Sequence, residues 1–370
     1  MNMLKYSLSP LFLIGLLACD WMGPNAVWMF FVAFSTFLIL GDSFFGNDTT
    51  LTQKSNNQLN PILYSILPLL LLKLFHISLL GMGDTQSYIF QILASDSIFF
   101  SWQHSYNSVD LLGIILSSGL MIGGIGTVVG HELVHRKKNS FGFKVSNWLL
   151  ALTWDPAFGI EHVHGHHKYI ATYEDPESAR RNEGVYSFII RSTIGTLKNA
   201  WAWEKSRLSQ KGLSPFSVQN QMIQIYFRSA ILTGLISLGG PISLFVYFCS
   251  IVWAKFLLET VNYIEHYGLV RVPGTAIEPR HSWNSNHRIS SYVLFNLTRH
   301  SAHHEKGTLP FWTLNPNEKA PMLPFGYLTM VYFSLLFPWK YRNIMNEKLK
   351  DWDSNYASTE ELNLLQQLSK

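Results

Sequence analysis

Long apolar runs separated by polar, basic segments dominate this chain. Six of them read as membrane helices, near residues 7–23, 26–41, 61–82, 110–130, 227–239 and 241–263. A helix needs about 20 mostly apolar residues to cross roughly 30 Å of hydrocarbon. The first two runs are short and joined by a turn at Gly23 and Pro24; the last two are parted by Gly239, Gly240 and Pro241, a strong breaker. Lys5 ahead of the apolar residues 10–18 resembles the start of a signal peptide. No small-residue cleavage site follows and a second apolar run begins at once, so the segment is expected to stay as a first membrane helix. Residues 148–154 and 186–208 predict helices on or just below one membrane face. Residues 324–338 are apolar and aromatic but short for a span, and predict a helix dipping into the interface.

Charge gives the orientation. Segment 83–110 holds Asp84, Asp96 and Asp110 but no lysine or arginine. Segment 131–228 carries Arg136, Lys137, Lys138, Lys144, Lys168, Arg180, Arg181 and Arg191. Basic loops stay in the cytoplasm, so an even number of spans puts both termini and the basic segments there. The expected fold is an all-α integral membrane protein, a single domain over residues 1–370. Six transmembrane helices carry a cytoplasmic helical cap formed by residues 131–226 and 264–370. Only 14% of the residues are charged, against about 25% in soluble chains. The net charge of +4 is small, and without a long basic tract no nucleic-acid partner is expected. Two cysteines, Cys19 and Cys249, exclude a disulfide framework, a cysteine-rich zinc module and a four-cysteine iron–sulfur cluster.

The candidate chemistry lies in the 14 histidines. Ten fall in four clusters at predicted cytoplasmic boundaries: His131 and His135; His162, His164, His166 and His167; His266; and His300, His303 and His304. Residues i, i+3 and i+4 share a helix face. That spacing groups His131 with His135, His162 with His166, and His300 with His303 and His304. His164 is two residues from both His162 and His166 and points away from them. Neutral imidazole suits iron, copper, nickel and zinc, and so many rings exceed what one metal holds, so two metals are expected. His76 and His104 are expected to pack or hydrogen-bond; His281 and His287 are isolated and left out. A zinc peptidase built on His131, Glu132 and His135 would leave most clustered histidines idle. A metal carrier would need polar residues along the spans.

The runs H-E-L-V-H (131–135), E-H-V-H-G-H-H (161–167), N-Y-I-E-H-Y-G (262–268) and L-T-R-H-S-A-H-H (297–304) resemble the histidine boxes of membrane alkane monooxygenases and xylene monooxygenase hydroxylase subunits. These belong to the membrane fatty-acid desaturase and hydroxylase superfamily. The likeness includes A-T-Y-E-D-P-E-S-A-R (171–180) and L-F-N-L (294–297), and covers roughly residues 110–310. The resemblance implies nine ligands to two non-haem irons: His131, His135, His162, His166, His167, His266, His300, His303 and His304. It implies an oxidoreductase of the alkane 1-monooxygenase type, with O2 as co-substrate. Such an enzyme hydroxylates a C–H bond, at a terminal methyl, of an alkane or similar lipophilic substrate. A fatty-acyl desaturase using the same site is the alternative. Metal-bound histidines usually donate their outer N–H to a partner; Glu132, Glu161, Asp175 and Glu265 are the candidates. With no rubredoxin-like cysteine pattern, flavin motif or nicotinamide motif, electrons must come from outside, and the resemblance suggests rubredoxin or ferredoxin with its reductase. The expected location is the bacterial inner membrane, in contact with lipid, with the metal site on the cytoplasmic side. Arg136, Val163, His164, Tyr173, Thr298 and Ala302 depart from the usual box residues, and none removes a ligand.

Overall fold

A computed structural model describes residues 2–51, 57–81 and 106–368. His104 and most of the acidic segment 83–110 lie outside them. The described residues are helical, with two isolated β-bridges. Five helices among them are long and apolar enough to cross a membrane: Met3–Met22, Pro24–Phe44, Asn57–Leu79, Ser108–Val134 and Pro241–His266. This is the pattern of a multi-pass membrane protein. The remaining expected run is also helical, as Gln221–Ser237, but it has 17 residues. That length rises only about 26 Å, and Arg228 interrupts its apolar surface. The helix Tyr327–Leu336 is apolar and shorter still.

The chain forms two compact units. The first comprises Met1–Phe37, Asn57–Pro156 and Ile223–Lys255. Helix Leu8–Met22 stops at Gly23, whose φ of 108° suits glycine, and the Gly23 N–H returns to the Cys19 carbonyl at 3.1 Å. Pro24 opens the next helix, where its missing N–H is no loss. Lys73, buried in helix Asn60–Leu79, places Nζ 2.6 and 2.8 Å from the two carboxylate oxygens of buried Asp20. His76 lies against this pair, with Nδ1 3.4 Å from Asp20 Oδ2.

Helix Ser108–Met121 begins with a capping box. Asn107 accepts from the Val109 and Asp110 N–H groups, and Asp110 accepts from the Asn107 N–H. The helix passes through a π-helical turn, Ile122–Gly126, into Thr127–Val134. Gly119 and Gly123 are one turn apart. A Cβ on the first would come within 2.7 Å of the Ser250 carbonyl, and on the second within 2.9 Å of the Ala254 carbonyl. Glycine here lets two helix backbones touch. Ser146 Oγ donates to the Gly130 carbonyl at 2.8 Å, fixing helix Phe141–Leu152 beside the turn that carries His131.

The second unit comprises Leu38–Asn56, Ala157–Met222 and Phe256–Lys370. Ala157, Ile160, Ala200 and Met222 form a small core, packed by Leu197, Trp201 and Trp203, that seats helix Val185–Ser209 against the stub Phe158–Glu161, which leads into His162. Glu204 accepts from Arg207 Nε and Nη2, both at 2.7 Å, and from the main-chain and side-chain nitrogens of Gln221 at 2.8 and 3.1 Å. Burial raises this carboxyl, but the N–H donors outweigh burial and hold it below the ordinary glutamate value. A depressed carboxyl stabilises the fold above its unfolded pKa, and the contribution is lost as pH falls through the folded pKa. The melting gap between wild type and Glu204→Gln is therefore expected to be full above about pH 5 and to close progressively below about pH 4. Thermal melts of the detergent-solubilised pair across pH measure it.

Beyond helix Arg288–Val293 the chain turns through Phe295 and Asn296, with φ of 49° and 55°. Two successive non-glycine residues in the left-handed region are unusual. The turn is held by the Asn296 N–H on the Ser291 carbonyl (2.8 Å) and by Asn296 Nδ2 on the Phe311 carbonyl (3.0 Å). Buried Arg299 follows, donating to the carbonyls of Leu314 (2.7 Å) and Asp48 (2.8 Å). Helix His300–Glu305 starts from this fixed point.

Candidate metal centre

The second unit gathers seven of the nine predicted ligands. His162–His166 is a π-helical turn between the stubs Phe158–Glu161 and His167–Tyr169. In such a turn residue i aligns with i+5, and His162 Nε2 lies 3.1 Å from His167 Nε2. His303 Nε2 is 3.0 Å from the same His167 nitrogen. His164 points elsewhere, as its spacing predicted. It stacks on Trp203, with ring centroids 4.0 Å apart and planes 9° from parallel.

One ring nitrogen from each of His166, His266, His300 and His304 lies within 4.8 Å of the other three, and all four residues are buried. The Nε2 atoms of His266 and His304 are 3.0 and 2.8 Å from His300 Nε2. His167 and His304 neighbour one another, with ring centroids 4.6 Å apart.

Carboxylates hold the outer edges of two of these rings. Asp175 Oδ2 is 2.9 Å from His166 Nδ1. The hydrogen therefore belongs on Nδ1, and the Nε2 lone pair faces the group. Asp175 is itself fixed by Ser178 Oγ (2.6 Å) and the Glu177 N–H (3.0 Å). Burial pulls His166 down, but the Asp175 charge and hydrogen bond outweigh it and raise the net value. Burial pushes Asp175 up, and His166 outweighs that to leave it low. Glu265 Oε1 lies 3.2 Å from His300 Nδ1 and accepts from the Tyr327 hydroxyl. His304 is driven well below the usual histidine range, first by burial and then by neighbouring His300, His167 and His166. It is neutral, the state a ligand must have. Glu161 is pushed up to about 7 by burial and by Asp175.

Four buried imidazoles with converging Nε2 atoms, two of them oriented from outside by carboxylates, fit a divalent first-row metal. In the first unit His131 and His135 stand together at the end of helix Thr127–Val134, with ring centroids 5.6 Å apart. Glu132, expected as an outer partner, instead has Oε1 2.8 Å from Arg136 Nη2, an i,i+4 ion pair.

Glu177 and Gly307 were not anticipated. Glu177 Oε2 is 3.5 Å from His166 Nδ1 and forms a buried acidic group with Glu161 and Asp175. It stands two residues after Asp175 in the same acidic run, which was the available signal. Gly307 lies over the His167 ring, where a Cβ would come within 2.6 Å of Cε1. Gly307→Ala is expected to displace His167 and weaken metal binding by roughly 10–100-fold, the range for a disturbed ligand support, with little change in melting. Metal titration beside a thermal melt checks this.

A family model described as fatty acid desaturase matches residues 109–334. Alkane 1-monooxygenase 1 of Pseudomonas aeruginosa is 34% identical over 92% of this chain and 88% of its own length. Alkane 1-monooxygenase 1 of Alcanivorax borkumensis is 37% identical over 66% of this chain, a match that spans 61% of that relative. The xylene/toluene monooxygenase hydroxylase component of Pseudomonas putida is 34% identical over 71% of each chain. Histidine boxes, helical membrane architecture and these matches agree: the chain belongs to the alkane and xylene monooxygenases of the fatty acid desaturase family.

Proposed function

We propose that this protein is an O2-dependent hydroxylase acting on the terminal C–H bond of an alkane or a similar lipophilic molecule. Two non-haem irons are held by the nine box histidines, and electrons come from a rubredoxin or ferredoxin with its reductase. The observation that carries the reading is the convergence of His166, His266, His300 and His304 in one buried group. Iron bound there supplies the O2 activation and C–H cleavage that no side chain performs. The protein's own part is placement. Asp175 holds the His166 proton on Nδ1, and Glu265, steadied by Tyr327, stands 3.2 Å from His300 Nδ1. Burial keeps bulk water from the group. Within the same unit His162, His167 and His303 face one another through their Nε2 atoms and are further proposed ligands. The lysine and arginine distribution supports a site on the cytoplasmic side of a bacterial inner membrane.

The test is metal content and O2-dependent turnover of detergent-purified protein with a reduced rubredoxin or ferredoxin system, offered octane, xylene and a fatty acid. Iron at about two per chain with an alcohol product supports the proposal. An alkene product moves the chain to desaturation. Zinc without O2 dependence overturns the reading.

A further inference from the structure

His166 and His300 each have a carboxylate on the outer nitrogen. No carboxylate among the described residues hydrogen-bonds His266 directly. Its Nε2 faces His300, which leaves Nδ1 for an outer partner. That nitrogen has no hydrogen-bond partner among the described residues, and the His281 backbone lies near the ring. His281 is fully buried, and both its nitrogens are engaged. Nδ1 accepts the Glu278 N–H at 3.0 Å, so the hydrogen sits on Nε2, which donates to Glu361 Oε1 at 2.7 Å. Glu361, on the last described helix Thr359–Leu368, also takes the Ser358 N–H (2.8 Å) and Arg280 Nε (3.1 Å) on Oε2.

The segment around His281 is strapped to the ligand-bearing elements. The Trp283 N–H donates to the Glu265 carbonyl (2.8 Å) and Trp283 Nε1 to the Tyr267 carbonyl (2.9 Å), on either side of His266. Ser301 Oγ, beside His300, lies 3.2 Å from the Ser282 carbonyl. From the other side, Trp352 Nε1 holds the Arg280 carbonyl at 2.7 Å. A simple staple for the C-terminal helix would be as stable with apolar side chains, because burying a charged partner carries a desolvation cost. We propose that Glu361, acting through His281, is a positioning residue for His266: a carboxylate–histidine relay at one remove from the ligand. The proposal rests on His266 being a metal ligand.

The experiment loads the full-length, detergent-purified chain with iron-57 and compares anaerobic ferrous Mössbauer spectra, iron affinities and melting midpoints. His266→Ala identifies the doublet belonging to that iron. Glu361→Ala is expected to shift the same doublet and lower iron affinity roughly tenfold, the low end for loss of an outer partner. Glu361→Gln, which keeps an oxygen for His281 and carries the test if the alanine variant does not fold, shifts it less. Glu204→Gln loses thermal stability elsewhere and leaves both doublets in place. A Glu361→Ala spectrum that superimposes on wild type, or changes no more than that of Glu204→Gln, overturns the relay alone. Full iron and an unchanged spectrum in His266→Ala overturn the ligand assignment, and the relay with it.

Discussion

Replacing His304 by alanine is expected to remove one of two irons and to abolish O2-dependent product formation. His304 is buried, neutral and central: its ring neighbours those of His166, His167, His266, His300 and His303. No other side chain takes its place when it is cut back. Loss of an outer hydrogen-bond partner costs roughly 10–100-fold in metal affinity or activity, and loss of a ligand must exceed that. Truncation also relieves crowding among buried imidazoles, so the melting midpoint of the metal-free protein should hold or rise. Iron analysis, product assay and melts of the apo and loaded forms give the three readings. Full iron and activity in His304→Ala would remove the proposed centre.

Breaking the Asp20–Lys73 pair is expected to have the largest effect on stability. Both groups are inside apolar helices, with Nζ 2.6 Å from the nearer carboxylate oxygen. Taking away one partner leaves the other charge stranded, at a cost of about 3–5 kcal/mol. Removing both is different: a well-packed apolar replacement of a buried pair is often neutral or stabilising. Asp20→Leu alone should therefore melt far below wild type, and Asp20→Leu with Lys73→Leu should recover most of the loss. If the double variant is as unstable as the single, the pair has a role beyond mutual compensation, for instance through His76 beside it.

Much of this architecture was legible because the bilayer imposes a simple length rule. Five of the six expected runs are helices of spanning length and apolarity. Gln221–Ser237 begins earlier than the short run 227–239 read for it, and at 17 residues still falls below spanning length. Histidine spacing grouped the rings because i,i+4 pairs were sought, yet His167 joins His162 through an i,i+5 relation. Only the π turn creates that relation, and no residue pattern announces it. Asp175 and Glu265 were readable from their places beside the boxes. Glu132 also has an arginine four residues on, with which its Oε1 forms an ion pair. His281 looked isolated because its partner is 80 residues away, on the last described helix.

Each π turn holds one residue more than the α-helix it interrupts, so whatever follows is rotated by about 100° against whatever precedes it. Ile122–Gly126 falls between Gly119, which presses against Ser250, and the histidines His131 and His135. The packing face and the ligand face of this one long helix are thus set by separate stretches of sequence. Deleting a single residue such as Gly124 would merge the two registers. The helix would then have to choose between seating itself among its neighbours and aiming its histidines.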